Sequence, residues 1–332
     1  MPTWGQVLEE VQAALSDPAI GPAALDHVRR KYIIALEQHT GRNVILYATK
    51  WIQAGADPSL ISITVEDQLG LMEVVHSLDG ARGLDLIIHS PGGAPDAAEA
   101  MVHYLRSKFS DIRAIVPHAA MSAATMLACA ADRIVMGKHS ALGPIDPQMI
   151  MSGPGGTSVH PAQAILDQFE RAKSECRDPS LLGAWAPILP QFGPSLLVQC
   201  QNALQLATEL VSEWLEQWML KAEADPSGAA RKIAQKLADH TSYKSHSRPI
   251  HRDAARALGL KVEDLEADQR FQDLVLSVYH ATMHTFEKSL AVKIIENHRG
   301  RAFLKSQQMV QQVLLGQLPK SPPSPGAPSP SN

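Results

Sequence analysis

Residues 84–149 constrain the fold more than any other stretch. They read as two strand–turn–helix units in tandem. Leu84–His89 is a short apolar run without helical period, closed by Ser90-Pro91-Gly92-Gly93 and followed by an Ala-rich helix predicted over Pro95–Lys108. Ile112–Val116 repeats the pattern. Its exit, Pro117-His118-Ala119-Ala120-Met121-Ser122, opens a second Ala-rich helix that ends before Asp132, and a third strand follows at Arg133–Met136. Strands of four to six residues alternating with longer helices imply crossover units, hence an α/β protein with a mainly parallel sheet.

Two of these turns hold residues that chemistry can use. A glycine pair at a strand end leaves backbone N–H groups open that a Cβ would crowd, which suits a developing oxyanion. Ser122 stands at the mouth of the next helix among small residues, with the Ala123 N–H beside it. A hydroxyl beside a preorganised anion site is the minimum equipment for acyl transfer. The same residues also read as a capping serine and a tight glycine turn. Spacing alone leaves both readings open.

SPGG after a strand, then AAMSAATMLACAADRIVM, resembles the ClpP/crotonase superfamily of serine proteases, which includes signal peptide peptidase A and its relatives. Within it the chain is similar to the serine dehydrogenase proteinase family. RRKYIIALEQHTGRNVILYATKWI, HSALGPIDPQM, PAQAILDQFERAKSE and SHSRPIHRDAARALGL extend the likeness over most of residues 29–303. The resemblance implies a ClpP/crotonase-like spiral of β/α units and a peptidase acting on peptide or protein. Its nucleophile falls on Ser122 and its oxyanion site on Gly92, Gly93 and Ala123. Superfamily members assemble as trimers or stacked rings, so a homo-oligomer is expected.

The proton acceptor is less legible. Clp-type proteases place a histidine near residues 139–149, where this chain reads Gly143-Pro144-Ile145-Asp146, with His139 displaced. A helix over residues 161–173 carries Ala162, Ile165, Leu166, Phe169 and Ala172 as an apolar stripe, and Lys173 continues it four residues after Phe169. An ammonium on a buried face is desolvated, which lowers its pKa toward that of a useful base. Relatives of signal peptide peptidase A use a Ser-Lys dyad, so Lys173 fits pattern and resemblance alike. A lysine with its stem packed and its head in water explains the same spacing. Lys138, His139 and His160 are weaker candidates.

Composition excludes several other classes. The net charge of −4 and 5 % aromatic residues give no electrostatic or stacking case for nucleic acid. Three cysteines without CxxC spacing fit a reducing compartment. MPTWGQVLEEVQAAL lacks the basic and apolar regions of a signal peptide, and no uncharged run is long enough for a membrane span, so a cytoplasmic location is expected. No motif asks for a metal or other cofactor. The Gly-rich residues 152–157 have no following Lys-Ser/Thr, so they are no phosphate loop and read as a surface loop or flap.

Elsewhere the pattern is mostly helical. Thr64-Val65-Glu66-Asp67 reads as a capping box opening a helix through Leu78. Residues 196–220 carry the broadest apolar face. His240, His246 and His251 fall in a loop where backbone hydrogen bonds are expected. Residues 258–296 read as helical, with His280 and His284 one turn apart in a packed helix. The expected organisation is a helical extension over 1–40, a catalytic core over 41–225, a second helical extension over 226–316 and a disordered Pro/Ser-rich tail over 317–332. Two other functions remain open: acyl-CoA chemistry of the crotonase type, and a catalytically inactive assembly protein on the same fold.

Overall fold

The computed structural model describes residues 3–153 and 156–307. The tail after Gln317 and the centre of the Gly-rich loop lie outside the described residues.

The strands are β1 (Asn43–Thr49), β2 (Leu84–His89), β3 (Ile112–Val116), β4 (Ala119–Ala120), β5 (Arg133–Met136), β6 (Ala141–Leu142), β7 (Gln148–Gly153), β8 (Gly156–Pro161), β9 (Ile250–His251), β10 (Val262–Asp264), β11 (Ala291–Asn297) and β12 (Ala302–Ser306). Seven of them form one sheet in the order β10-β5-β3-β2-β1-β11-β12. From β10 to β1 every pairing is parallel, while β11 and β12 are antiparallel. Every residue of β1, β2 and β11 is buried. A sheet covered on both faces leaves no in–out alternation in such strands, and the charges they do carry, Asp85, Lys293 and Glu296, are paired inside.

The principal helices are α1 (Trp4–Ser16), α2 (Ala24–Thr40), α3 (Asp67–Val75), α4 (Pro95–Lys108), α5 (Ala123–Cys129), α6 (Ala162–Glu175), α7 (Leu196–Trp214), α8 (Pro226–Ala238), α9 (Arg252–Leu258) and α10 (Gln269–Lys288). α1, α2 and α10 cover one face, meeting Val44, Leu46, Ile87 and Ile115. α3, α4, α5, α7 and α8 cover the other, meeting Leu84, Leu86, Ile88 and Ala114. No helix among the described residues is long and apolar enough to cross a membrane.

Two expected elements differ. The helical reading of residues 258–296 holds only for its middle, since β10 precedes α10 and β11 follows it. Lys293 and Glu296, three apart, imitate the polar stripe of a helix. Both are instead buried in a strand, Lys293 against Asp67 and Glu296 against Arg29 and Arg30. Asp67 makes one half of the expected capping box, its carboxylate reaching back to the Thr64 N–H. That bond is 3.0 Å long, Asp67 is fully buried, and the helix it opens stops at Val75.

A separate arm projects from the core. The β7–β8 hairpin, α6, the turns over residues 179–192 and the start of α7 share a small core of Ala162, Ile165, Phe192 and Cys200. In the hairpin Gly153 pairs with Gly156. α7 ends at Trp214 and passes into one π turn over Leu215–Met219.

Candidate active site

Ser90 lies between two strands. Its N–H donates to the Ala119 carbonyl at 3.2 Å, and its carbonyl accepts from the Met121 N–H at 3.0 Å. Ser122 leaves this ladder with φ 52° and ψ −123° and enters α5, its carbonyl accepting from the Met126 N–H. A non-glycine residue in that region costs about 1–3 kcal/mol and persists only where its surroundings hold it. A capping serine has extended dihedrals and a side chain bonded to the helix N–H groups. Ser122 has neither, and its hydroxyl makes no capping bond. The side chain is partly exposed at the carboxyl ends of the parallel strands, where open α/β sheets bind ligands.

Gly92 and Gly93 pack directly beside it. A Cβ on Gly92 would lie 2.7 Å from Ser122 Cβ and 2.8 Å from the Ala123 nitrogen, and its φ of +97° excludes other residues equally. Gly93 is bridged to Ile63 in parallel fashion. The Ile63 N–H donates to the Gly92 carbonyl at 2.8 Å and the Ala94 N–H to the Ile63 carbonyl at 3.0 Å. In that geometry the neighbours of Gly93 make the bonds and its own N–H points away from Ile63. Among the described residues neither the Gly93 nor the Ala123 N–H has a hydrogen-bond partner. Both donors stand open for an oxyanion.

A buried network fixes this floor. Lys293 Nζ donates to both Asp67 oxygens at 2.7 Å and to the Ser62 carbonyl at 2.7 Å, one residue before Ile63. The Tyr47 hydroxyl donates to Asp67 at 2.7 Å. Burial pulls the Lys293 ammonium below the usual lysine range, and Asp67 opposes the shift. On the other flank, the Thr125 hydroxyl accepts the Gly143 N–H at 2.9 Å and lies 2.8 Å from the Ala120 carbonyl. It fastens the start of α5 to the loop after β6. The sequence gives no sign of either network, because the partners are remote in the chain.

The expected bases are distributed otherwise. Lys173 is not on the buried face of α6. Its side chain is 57 % exposed and donates to Glu170 at 2.8 and 2.9 Å. The buried positions are Ala162, Ile165 and Ala172, so the arm's narrow core leaves the rest of the stripe at its margin. His139 Nε2 pairs with the Pro117 carbonyl at 2.9 Å, and exposed His160 with the Ser158 hydroxyl at 2.8 Å. Lys138 is exposed. Among the described residues the Ser122 hydroxyl has no hydrogen-bond partner.

The histidine-rich segment differs from its expectation. Only His251 bonds backbone, the Ser140 carbonyl, at 3.3 Å. His240 and His246 both donate from Nδ1 to Asp146, at 2.9 and 2.7 Å. His280 and His284 do pack, against Trp4 of α1. Among the described residues no three His, Cys, Asp or Glu side chains gather as a metal site.

Behind the Gly92 and Ser122 turns lies a neutral aromatic cluster. His89 is fully buried, 5.1 Å from the Tyr279 ring and 5.4 Å from that of His118, and neither of its ring nitrogens is paired. Burial pushes its pKa down to about 3, with His118 adding to the shift and the Ala119 backbone opposing it. A 570 Å³ cavity elsewhere is lined by Arg42, Arg113, Asp264 and Phe271. Its guanidinium groups are already paired to Asp85 and Asp111.

Fold and site together define an α/β protein with a strained serine facing two open amides at the carboxyl end of a parallel sheet. The chain belongs to the family of ClpP-like SDH-type serine proteinases, whose model matches residues 13–296. Two uncharacterized proteins of Methanocaldococcus jannaschii are similar. One is 29 % identical over 275 residues, covering 78 % of this chain and 86 % of its own length. The other is 28 % identical over 238 residues, covering 70 % and 71 %. Among solved structures, a membrane-bound stomatin-specific protease is similar at 16 % identity and a TM-score of 0.37, covering 60 % of this chain and 74 % of its own.

Proposed function

We propose that this chain is an ATP-independent serine endopeptidase. Ser122 Oγ attacks a peptide carbonyl, and the Gly93 and Ala123 N–H groups hold the oxygen that becomes negative, with Gly92 keeping the turn clear. The observation that carries the reading is the Ser122 backbone at φ 52°, pinned against Gly92 with its hydroxyl spent on no structural bond. Strain of this kind gathers at sites where geometry matters more than stability. Resemblance to signal peptide peptidase A offers Lys173 as proton acceptor. The amine is instead exposed and held by Glu170 at 2.8 Å, so nothing in its surroundings supports that role. A homo-oligomer in a reducing, cytoplasmic setting completes the proposal, in keeping with three unpaired cysteines, of which Cys129 is buried with its thiol pushed up to about 12.

A fluorophosphonate probe tests the reading. Covalent labelling at Ser122, lost in Ser122→Ala, supports it. Coenzyme-A-dependent turnover without labelling would instead place the chain with the acyl-CoA enzymes of this fold. An unlabelled chain with neither activity would leave an assembly protein.

A further inference from the structure

We infer that His246, oriented by Asp146, is the general base that serves Ser122. This rests on the serine-peptidase reading and names the group that completes it.

The Asp146 carboxylate is 1 % exposed, and three donors surround it. Oδ1 accepts His246 Nδ1–H at 2.7 Å, while Oδ2 is shared by His240 Nδ1–H at 2.9 Å and Gln148 Nε2 at 3.0 Å. A carboxylate only accepts, so the proton of each neutral imidazole sits on Nδ1 and the lone pair on Nε2. That is the tautomer a base requires, held by the kind of partner that orients a catalytic histidine and stabilises its protonated form. His246 has an oxygen to itself at the shorter distance. It is also the more open of the two rings, at 24 % against 17 %.

The tertiary structure ties the segments that carry this pair to the Ser122 turn. A small sheet of β4, β6 and β9 joins the strand before Ser122, the strand before Asp146 and the strand that ends the histidine segment. Gly143 follows β6 so closely against the nucleophile turn that a Cβ on it would stand 3.2 Å from Met121 Cα. Asp146 is three residues further, at most about 10 Å of chain. The Ile145 N–H donates to the Leu237 carbonyl at the end of α8, three residues before His240. Of the other candidates, His139 bonds the Pro117 carbonyl, His160 the Ser158 hydroxyl and Lys173 Glu170, while His118 stacks on Tyr279. Catalytic hydrogen bonds in a free enzyme often close only when substrate arrives, so an unbonded Ser122 hydroxyl is compatible with this role.

The step balances within the chain and its substrate. As Ser122 Oγ bonds to the carbonyl carbon, its proton passes to His246 Nε2 and the carbonyl π pair moves onto oxygen, where the Gly93 and Ala123 amides receive it. On collapse the C–N bond breaks and the Nε2 proton leaves with the amine. A water then gives a proton to the same Nε2 as its oxygen bonds to the acyl carbon; on collapse the C–O bond to Ser122 breaks and the Nε2 proton returns to Ser122 Oγ.

The test compares second-order rates of fluorophosphonate labelling in the full-length chain. His246→Ala is expected to slow labelling at least about 100-fold, and millimolar imidazole to restore part of the loss. His246→Asn keeps a donor to Asp146 but has no Nε2, so it should fold as the parent does and label as slowly as His246→Ala. Asp146→Asn should show a comparable loss, whereas Lys173→Ala should retain the parental rate. Labelling of His246→Ala at the parental rate, or loss on Lys173→Ala with His246→Asn unaffected, overturns this inference and leaves the peptidase reading intact. A parent chain that is never labelled at Ser122 overturns both.

Discussion

Lys293 and Lys173 each hold a carboxylate, at 2.7 and 2.8 Å, yet they belong to regions of opposite character. Lys293, in β11, and Asp67, at the start of α3, are both fully buried under the Ser122 turn. Lys173 and Glu170 are 57 % and 67 % exposed on the arm. Removing one member of a buried pair leaves a charge without water or partner, at about 3–5 kcal/mol, whereas an exposed pair is worth at most about 1. The floor is therefore a fixed part, in which Ser62, Ile63 and Gly93 are located by burial. The arm is a loosely held one, resting on a core of four buried residues.

This contrast can be broken or sharpened experimentally. The largest effect is expected at Ser122. Ser122→Gly should abolish probe labelling and peptide hydrolysis while raising stability by about 1 kcal/mol, since glycine adopts φ 52° without strain. A fall in stability by urea titration would mean that the serine is structural. Next is Lys293→Met, which takes from the buried Asp67 its closest cation, leaving Lys305 at 3.8 Å, and should lower unfolding free energy by about 3–5 kcal/mol. A loss below 1 kcal/mol would erase the distinction between floor and arm.

Two glycines with positive φ compare the regions directly. Gly92→Ala forces a methyl to 2.5 Å from the Met121 carbonyl oxygen, and should cost both stability and at least about tenfold in labelling rate. Gly193→Ala, on the arm with open space around it, should cost about 1 kcal/mol and leave labelling alone.

Acid should act on the aromatic cluster behind the site. His89 has a folded pKa of about 3 against 6.5 for the free side chain, so between those values the unfolded chain binds a proton that the native state refuses. Stability is full above about pH 6.5 and is lost as pH falls, by about 1.4 kcal/mol per unit near pH 5, until about pH 3. His280, down to about 4 but partly exposed, adds a smaller share. Urea midpoints at pH 7 and pH 5 measure the slope, and His89→Phe should flatten it. The smallest effect belongs to Lys173→Ala, whose melting temperature should stay within about a degree of the parent. A larger drop would show the arm to be tighter than its burial indicates.

The β/α units around Ser122 were legible because local order creates them. Leu84–His89, Pro95–Lys108, Ile112–Val116 and Arg133–Met136 stand where the apolar runs and glycine turns put them. The same reasoning failed at residues 291–297, where two buried ion pairs put charges into a strand at helical spacing. It failed for Lys173 because an amphipathic stripe says which residues share a side, but not how deep the neighbouring core reaches. Asp146 was visible only as a departure from a histidine register, and His240 and His246 only as loop residues.

Short-range physics thus wrote the Ser122 turn and its glycines into the chain, since steric limits on φ and the space beside one Cβ are settled within a few residues. What decided the floor and the placement of Asp146 with its imidazoles was tertiary. Lys293 reaches Asp67 across 226 residues and His246 reaches Asp146 across 100, and an ionic partner at such range is chosen by where the sheet and helices bring it, not by anything written beside it.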